Sequence, residues 1–273
     1  YKKNNTFIVK DKDLFIASYG LYPLDFLYNN KISQGYLCHN VMTHPDYSGR
    51  GLFTQLGQYA INNTLVNDDI LLGIPNENAI KGHTKIGWQE QPNIPFYSKT
   101  HLKSYNNIKK DFKEVSKFLT INDDKLKSFS NKYNFSVLKD SKYINWRYVN
   151  RPHTKYHIYQ LNSIQPIAKE FDRYLLGYVV LKHFNNKLHV VDYGYDNIEH
   201  FDKIIKFVET KANDLHVDIL DFWCYNKKEQ DILNKNNFKK DNKSNRLITY
   251  SNLDFSLENK DNWKIVLGDN DVY

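Results

Sequence analysis

The segment that most constrains this chain is Val41-Met42-Thr43-His44-Pro45-Asp46-Tyr47-Ser48-Gly49-Arg50-Gly51-Leu52-Phe53. Residues 35–42 ahead of the loop read as a strand. Beyond it, Leu52, Leu56, Tyr59, Ala60 and Asn63 recur at helical spacing, so 52–65 reads as an amphipathic helix. Pro45 removes a backbone donor and fixes the entry turn. Gly49 and Gly51 let an anion approach the backbone with no Cβ in the way. A strand that feeds a glycine loop and then a helix start aims successive N–H groups and the positive helix end at one place, which suits a pyrophosphate.

The flanking pattern is α/β. Residues 6–9 and 14–19 read as strands joined at Asp11-Lys12-Asp13, and 26–28 and 31–33 as strands joined at Asn29-Asn30, whose residues tolerate left-handed backbone. Residues 70–74 form a short, fully apolar strand of the buried kind, and 78–86 a short helix closed by Gly87. Residues 99–127 are polar and lysine-rich, with helical stretches such as 111–119, and read as a connection. The pattern then restarts. Strands are expected at 157–161, 175–182 and 188–195, followed by a helical stripe of Phe201, Ile204, Ile205, Val208 and Ala212. A strand at 219–225 and a short helix at 229–236 complete it. The order strand, strand, strand, helix, strand, short helix thus occurs twice, with Trp146-Arg147-Tyr148 opening the second copy, and predicts an internal repeat.

With these residues in view, the 41–53 segment resembles the acetyl-CoA loop of the GNAT N-acetyltransferase superfamily. Val41, Pro45, Tyr47, Gly49 and Gly51 match its pattern, while Ser48 stands where Gln or Arg is usual and Phe53 where Gly or Ala is usual. Asn76-Glu77-Asn78-Ala79, then His83, then Gly87-Trp88, resembles the later motif of the same family. The likeness covers roughly residues 14–90. The chain also resembles bacterial tandem-GNAT proteins among surface-polysaccharide enzymes, with a degenerate second repeat. The implied fold is two GNAT-like α+β repeats, each a mixed, mostly antiparallel twisted sheet flanked by helices. The implied boundaries are 1–100 for the acetyl-CoA domain, 101–135 for a helical connector and 136–273 for the degenerate copy. The family normally carries a helix-rich acceptor lid ahead of the first hairpin, and the chain opens on Tyr1 without one.

The resemblance implies transfer of acetyl from acetyl-CoA to a small amine, with a nucleotide-linked amino sugar as the favoured acceptor. Transfer of another acyl or aminoacyl group and a non-catalytic CoA-binding module are the alternatives. Cofactor contacts are expected from Val41, Met42, Thr43, Tyr47, Ser48, Gly49, Arg50, Gly51, Leu52, Phe53, Asn76 and Asn78. Phe53 is compatible with this only if its ring turns away from the ligand. His83 stands where the family often has a tyrosine acid, and histidine donates protons near neutral pH. His39 and Glu77 are candidates for the general base. Asp269 and Asp271 are candidates to attract an acceptor ammonium, and Tyr22, Tyr36 and Trp88 are expected in the core or a pocket wall.

The second copy reads Tyr193-Gly194-Tyr195-Asp196-Asn197-Ile198-Glu199-His200 where the loop should stand. It has one glycine, and Asp196 and Glu199 repel a pyrophosphate, so no cofactor is expected there. The formal charge of +7 suits a phosphate-bearing ligand. The lysines are scattered among acids and do not form a basic block, which points away from nucleic acid. Cys38 and Cys224 lie far apart in apolar runs and read as buried thiols in a reducing cytoplasm, with no metal-ligand spacing. Apolar runs are too short to span a bilayer.

Overall fold

The computed structural model describes residues 2–66, 68–163, 174–252 and 260–270. The first half runs β1 (Asn5–Asp11), β2 (Leu14–Tyr28), β3 (Lys31–Thr43), α1 (Leu52–Asn62), β4 (Ile70–Gly73), α2 (Glu77–Lys85) and β5 (Gln89–Lys99). A middle segment holds β6 (Phe112–Val115), α3 (Asp123–Ser130), β7 (Phe135–Val137) and α4 (Ser141–Ile144), which continues into a π-helical turn (Asn145–Val149). The second half runs β8 (His157–Asn162), β9 (Leu175–Phe184), β10 (Lys187–Tyr195), α5 (Ile198–Asp214), β11 (Ile219–Trp223), α6 (Lys227–Lys235) and β12 (Lys239–Tyr250). The two-residue β13 (Trp263–Lys264) closes the sequence of elements.

These strands form one mixed sheet in the order β13-β7-β2-β3-β4-β12-β5-β11-β10-β9-β8-β6, with β1 added on β2. Between β1 and β8 the order is palindromic, which displays the predicted repeat. Each half keeps one internal parallel pair, β3 with β4 and β10 with β11. Local chemistry repeats as well. Asn29-Asn30 and Asn185-Asn186 all have positive φ (47° to 62°) and close the two long hairpins with left-handed two-residue turns. Gly87 (φ 96°) and Asn237 (φ 62°) end α2 and α6.

The palindrome is built by exchange. β12, the last strand of the second half, lies between β4 and β5, and β5 reaches across to β11. Lys99 at the end of β5 reinforces the crossing from a buried site. Its ammonium pairs with Glu209 on α5 and donates to the Asn236 carbonyl at 2.7 Å.

Three apolar clusters fill the fold. Tyr19, Leu21, Ala60, Leu71, Ile80 and Trp88 pack beneath α1 and α2, and Tyr193, Phe201, Ile204, Val208 and Phe222 beneath α5 and α6. The largest cluster belongs to the opposite face and draws on both halves, including Phe26, Phe135, Tyr178, Trp223 and Trp263. Cys38 and Cys224 are buried and form no disulfide. The helix expected at 111–119 is instead the strand β6, which pairs with β8. Phe112 alone carries its burial, stacked on Phe207 at 3.9 Å.

Because β5 takes both of its neighbours from the second half, residues 1–135 cannot complete a sheet. Expressed alone, this piece is expected to melt without cooperativity, and co-expression with 136–273 to restore a soluble complex. A sharp thermal transition from the isolated piece refutes the coupling.

Candidate functional site: an open wedge in the sheet

The parallel ladder between β3 and β4 pairs Gly35, Tyr36 and Leu37 with Ile70, Leu71 and Leu72, and then stops. β3 runs on to Thr43, while β4 turns to β12 and ends at Gly73. The result is a wedge edged by the backbone of β3. A bulge sits at its mouth: β3 has one residue more than β2 between the pairs Ser18/Met42 and Gly20/His39, and Asn40 takes φ 49°. Such bulges bend a strand and re-aim the residues beyond them. The Thr43 hydroxyl beside it is buried with no hydrogen-bond partner among the described residues, so a polar group is needed there.

Beyond Thr43 the chain makes a single 3-10 turn (Pro45–Tyr47) and reaches α1 through Gly51. Gly49 and Gly51 both have φ 77°, and a Cβ on Gly49 would meet nothing within 4 Å, so this edge of the loop is open. Gly51 is the N-cap and leaves the first N–H groups of α1 without a side-chain cap. Tyr47 donates to Asp11 Oδ2 at 2.6 Å and ties the loop to the first hairpin. The Arg50 guanidinium lies 4.7 Å from the Tyr47 ring centre and donates to the Asp46 carbonyl at 3.0 Å. Open glycines and a bare helix start fit a phosphate group, and the orphaned hydroxyl fits a polar segment of the same ligand.

The predicted residues divide into groups. Val41, Met42, Thr43, Tyr47, Ser48, Gly49, Arg50, Gly51 and Leu52 come together along the end of β3, the loop and the start of α1. Phe53 brings its backbone to the same place, but its ring turns away onto α2. A Cβ on Gly82 would come within 2.4 Å of it. Asn76 caps α2, accepting from the N–H groups of Asn78 and Ala79 at 3.1 and 3.0 Å, and Asn78 is exposed. Glu77 is exposed in the first turn of α2, where its charge complements the helix dipole. His39 lies on the other face of β3, beside Tyr22 and Leu37, with Nε2 2.9 Å from Asn4 Oδ1. Trp88 is core, Tyr36 packs on the cluster under α1, and Tyr22 lines a pocket.

His83 is only 3% exposed and sits among the rings of Phe53, Trp88 and Tyr19 at 5.0, 5.1 and 5.8 Å. Burial lowers its pKa to about 4, so it is uncharged at neutral pH, and its Nδ1 lies 3.2 Å from the Tyr19 hydroxyl. The imidazolium acid expected from the sequence is therefore not available here; the ring packs α2 onto the sheet. Asp269 is buried against Lys139 at 3.1 Å instead of facing an acceptor, and Asp271 lies outside the described residues.

The second repeat makes the same wedge and fills it. β10 pairs with β11 from Lys187 to Val190, then runs on to Tyr195 past a bulge of its own at Val191. Asn226 caps α6 as Asn76 caps α2, but Ala79 is answered by Glu229. The fully buried Glu229 carboxylate accepts from Tyr133, from Tyr193 at 2.6 Å and from Tyr195 at 2.7 Å. Asn197 caps α5 directly, accepting from His200 N at 3.1 Å, and Asp196 pairs with Lys125 at 2.9 Å. The sequence pattern reveals the missing glycine loop but not the plug. The signal that could have found it is the Asn-x-x-Glu spacing at 226–229, against Asn-x-x-Ala at 76–79. Among the described residues no cluster of His, Cys, Asp or Glu could hold a metal, and no helix is long and apolar enough to cross a membrane.

Because His83 has a lower pKa folded than unfolded, the unfolded chain binds the extra proton between about pH 6.5 and 4. Stability is full above that window and is lost as pH falls through it, by about 3 kcal/mol. Melting temperature followed from pH 7 to 4 should drop less steeply in His83→Phe than in the parent, and parallel curves refute this assignment.

No protein-family model matches the chain, and no curated protein matches it. Solved structures do. A conserved protein of Enterococcus faecalis V583 described as a probable N-acyltransferase aligns with TM-score 0.64 at 12% identity, over 91% of this chain and 62% of the other. A GCN5-related N-acetyltransferase from Anabaena variabilis aligns at 0.62 and 10%, over 90% and 62%. The Saccharomyces cerevisiae N-myristoyltransferase with bound myristoyl-CoA aligns at 0.57 and 8%, over 89% and 68%. The chain spans about three-fifths of the length of the first two. It has the fold shared by the GCN5-related N-acetyltransferases, the GNAT superfamily of the sequence resemblance, and the N-myristoyltransferases.

Proposed function

We propose that the chain is an acyl-CoA-dependent N-acyltransferase of GNAT type that uses acetyl-CoA and acts on a small amine. The observation that carries this reading is the open wedge between β3 and β4, which leads straight to the Gly49–Gly51 turn at the bare start of α1. The counterpart wedge in the second half is plugged by Glu229, so the reading assigns one ligand per chain. When bound, the thioester would supply an acyl carbon open to attack by a neutral amine, with the C–S bond breaking and CoA leaving as its thiolate. Backbone N–H groups from Ser48 to Phe53 hold the pyrophosphate, and the β3 edge with the Thr43 hydroxyl holds the pantetheine arm. We assign His39, on the pocket face of β3, as acceptor of the amine proton. Residues 1–100 form the acyl-CoA repeat, 101–135 the connector and 136–273 the sealed repeat of a bacterial tandem arrangement. A nucleotide-linked amino sugar is the acceptor class suggested by the sequence resemblance, and a cytoplasmic setting goes with the need for CoA thioesters.

Calorimetric titration with acetyl-CoA tests this. Binding is expected at one site per chain, adding about 2.7 kcal/mol of stability at 100 times the dissociation constant. Gly51→Glu brings a carboxylate to the bare start of α1, and Ala79→Glu copies the plug of the second repeat. Each is expected to abolish binding while the melting temperature of the unliganded protein stays within a few degrees. No binding at millimolar acetyl-CoA overturns the proposal, and tighter binding of a longer acyl-CoA reassigns the donor.

A further inference from the structure

On the face of the sheet opposite α1 lies a pocket of about 270 Å³. Leu37 is both the last residue of the β3–β4 ladder and part of the pocket wall, so the pocket meets the wedge through the sheet. His39 lines it just beyond. The far wall comes from the π-helical turn, which carries Trp146 and Arg147, and from Arg151 after it. Single π turns of this sort are frequent at functional sites.

The lining has a definite chemistry. Tyr22 and Trp146 stack at 4.5 Å with planes 6° apart and form a flat apolar wall. Arg147 donates through Nε to the Gly268 carbonyl at 3.1 Å and through Nη2 to the Asn270 carbonyl. Both acceptors are backbone carbonyls, and the buried Asp269 between them pairs with Lys139 at 3.1 Å. Arg151 adds a second cation, with Nη1 3.4 Å from the Tyr156 hydroxyl. Lys182 stands close enough that, after burial, these two arginines depress its pKa. Among the described residues that line the pocket none is acidic.

We infer that this pocket binds the acceptor, and that it selects a small primary amine carrying a carboxylate or phosphate group. The inference rests on the N-acyltransferase reading above. A guanidinium matches either anion by paired hydrogen bonds. The volume lies just below the usual range of ligand sites, which suits one amino acid or one sugar inside the pocket. A nucleotide portion would have to lie outside.

The test uses the full chain saturated with CoA and titrated calorimetrically with two matched pairs: leucine against leucinamide, and glucosamine 6-phosphate against glucosamine. The anionic member of one pair is expected to bind at least tenfold tighter, and the pair that discriminates identifies the anion. Arg151→Ala should erase the difference, and Arg151→Lys restore part of it, while the thermal shift caused by CoA is unchanged. Equal binding within both pairs, no binding by any of the four, or preference retained in Arg151→Ala overturns the inference. Should CoA itself give no shift in the parent protein, the N-acyltransferase reading fails. The same four titrations without CoA then judge the pocket separately.

Discussion

Everything specific about this molecule depends on β3 and β4 parting company after Leu37 and Leu72. A buried sheet ordinarily pairs each backbone group, and leaving one unpaired is costly. Here β4 is held by β12 on its other side, so it cannot track β3 as that strand bends at its bulge. The gap is kept open by hydrogen bonds elsewhere in the sheet. The glycine turn then brings the start of α1 to the end of the same strand, and Phe53 locks α1 against α2 through the space left by Gly82. The polar demands of the gap, with the unpartnered Thr43 hydroxyl beside it, are what suit it to the ligand proposed above.

The two halves offer a natural control. They share turns, bulges, cap asparagines and strand order, so the backbone solution is common to both. What differs is how the wedge is filled. Where the first repeat has Ala79 and a glycine loop, the second has Glu229 ringed by tyrosine hydroxyls and a helix capped at once by Asn197. A buried carboxylate is tolerable only with such complete partnering. The three tyrosine hydroxyls and the Cys224 thiol around it show how much polar capacity an emptied wedge leaves to be satisfied.

Much of this is legible in the order of residues. The asparagine turns, the apolar β4, the loop glycines and the caps at Gly87 and Asn76 act through local geometry, which sequence encodes directly. Counting those signals is enough to expose the repeat. Three things are not legible. β6 reads as helix because Lys113 and Glu114 face solvent and only Phe112 carries burial information. His83 reads as an acid because its fate depends on rings brought from Tyr19, Phe53 and Trp88, none of which marks it locally. The exchange of β12 into the first half is hidden because a strand's own pattern does not name its neighbour. Trp146 and Arg147 stand out only as a repeat marker; their pocket exists because the π-helical turn faces β2 and β3.

The exchanged strand has a consequence for the order of events at the ribosome. Gln91 donates to Thr249, 158 residues further along the chain, at 2.8 Å. During synthesis the first half emerges with its helices and hairpins complete while the slot between β4 and β5 stands unfilled. At roughly 5–20 residues per second the delay lasts many seconds. Throughout that interval one edge of β4 and both edges of β5 lie exposed beside an apolar cluster, a natural invitation to a neighbouring nascent chain. The wedge between β3 and β4 takes its final form only when the last strand of the second half arrives, so whatever it is built to hold can enter only late.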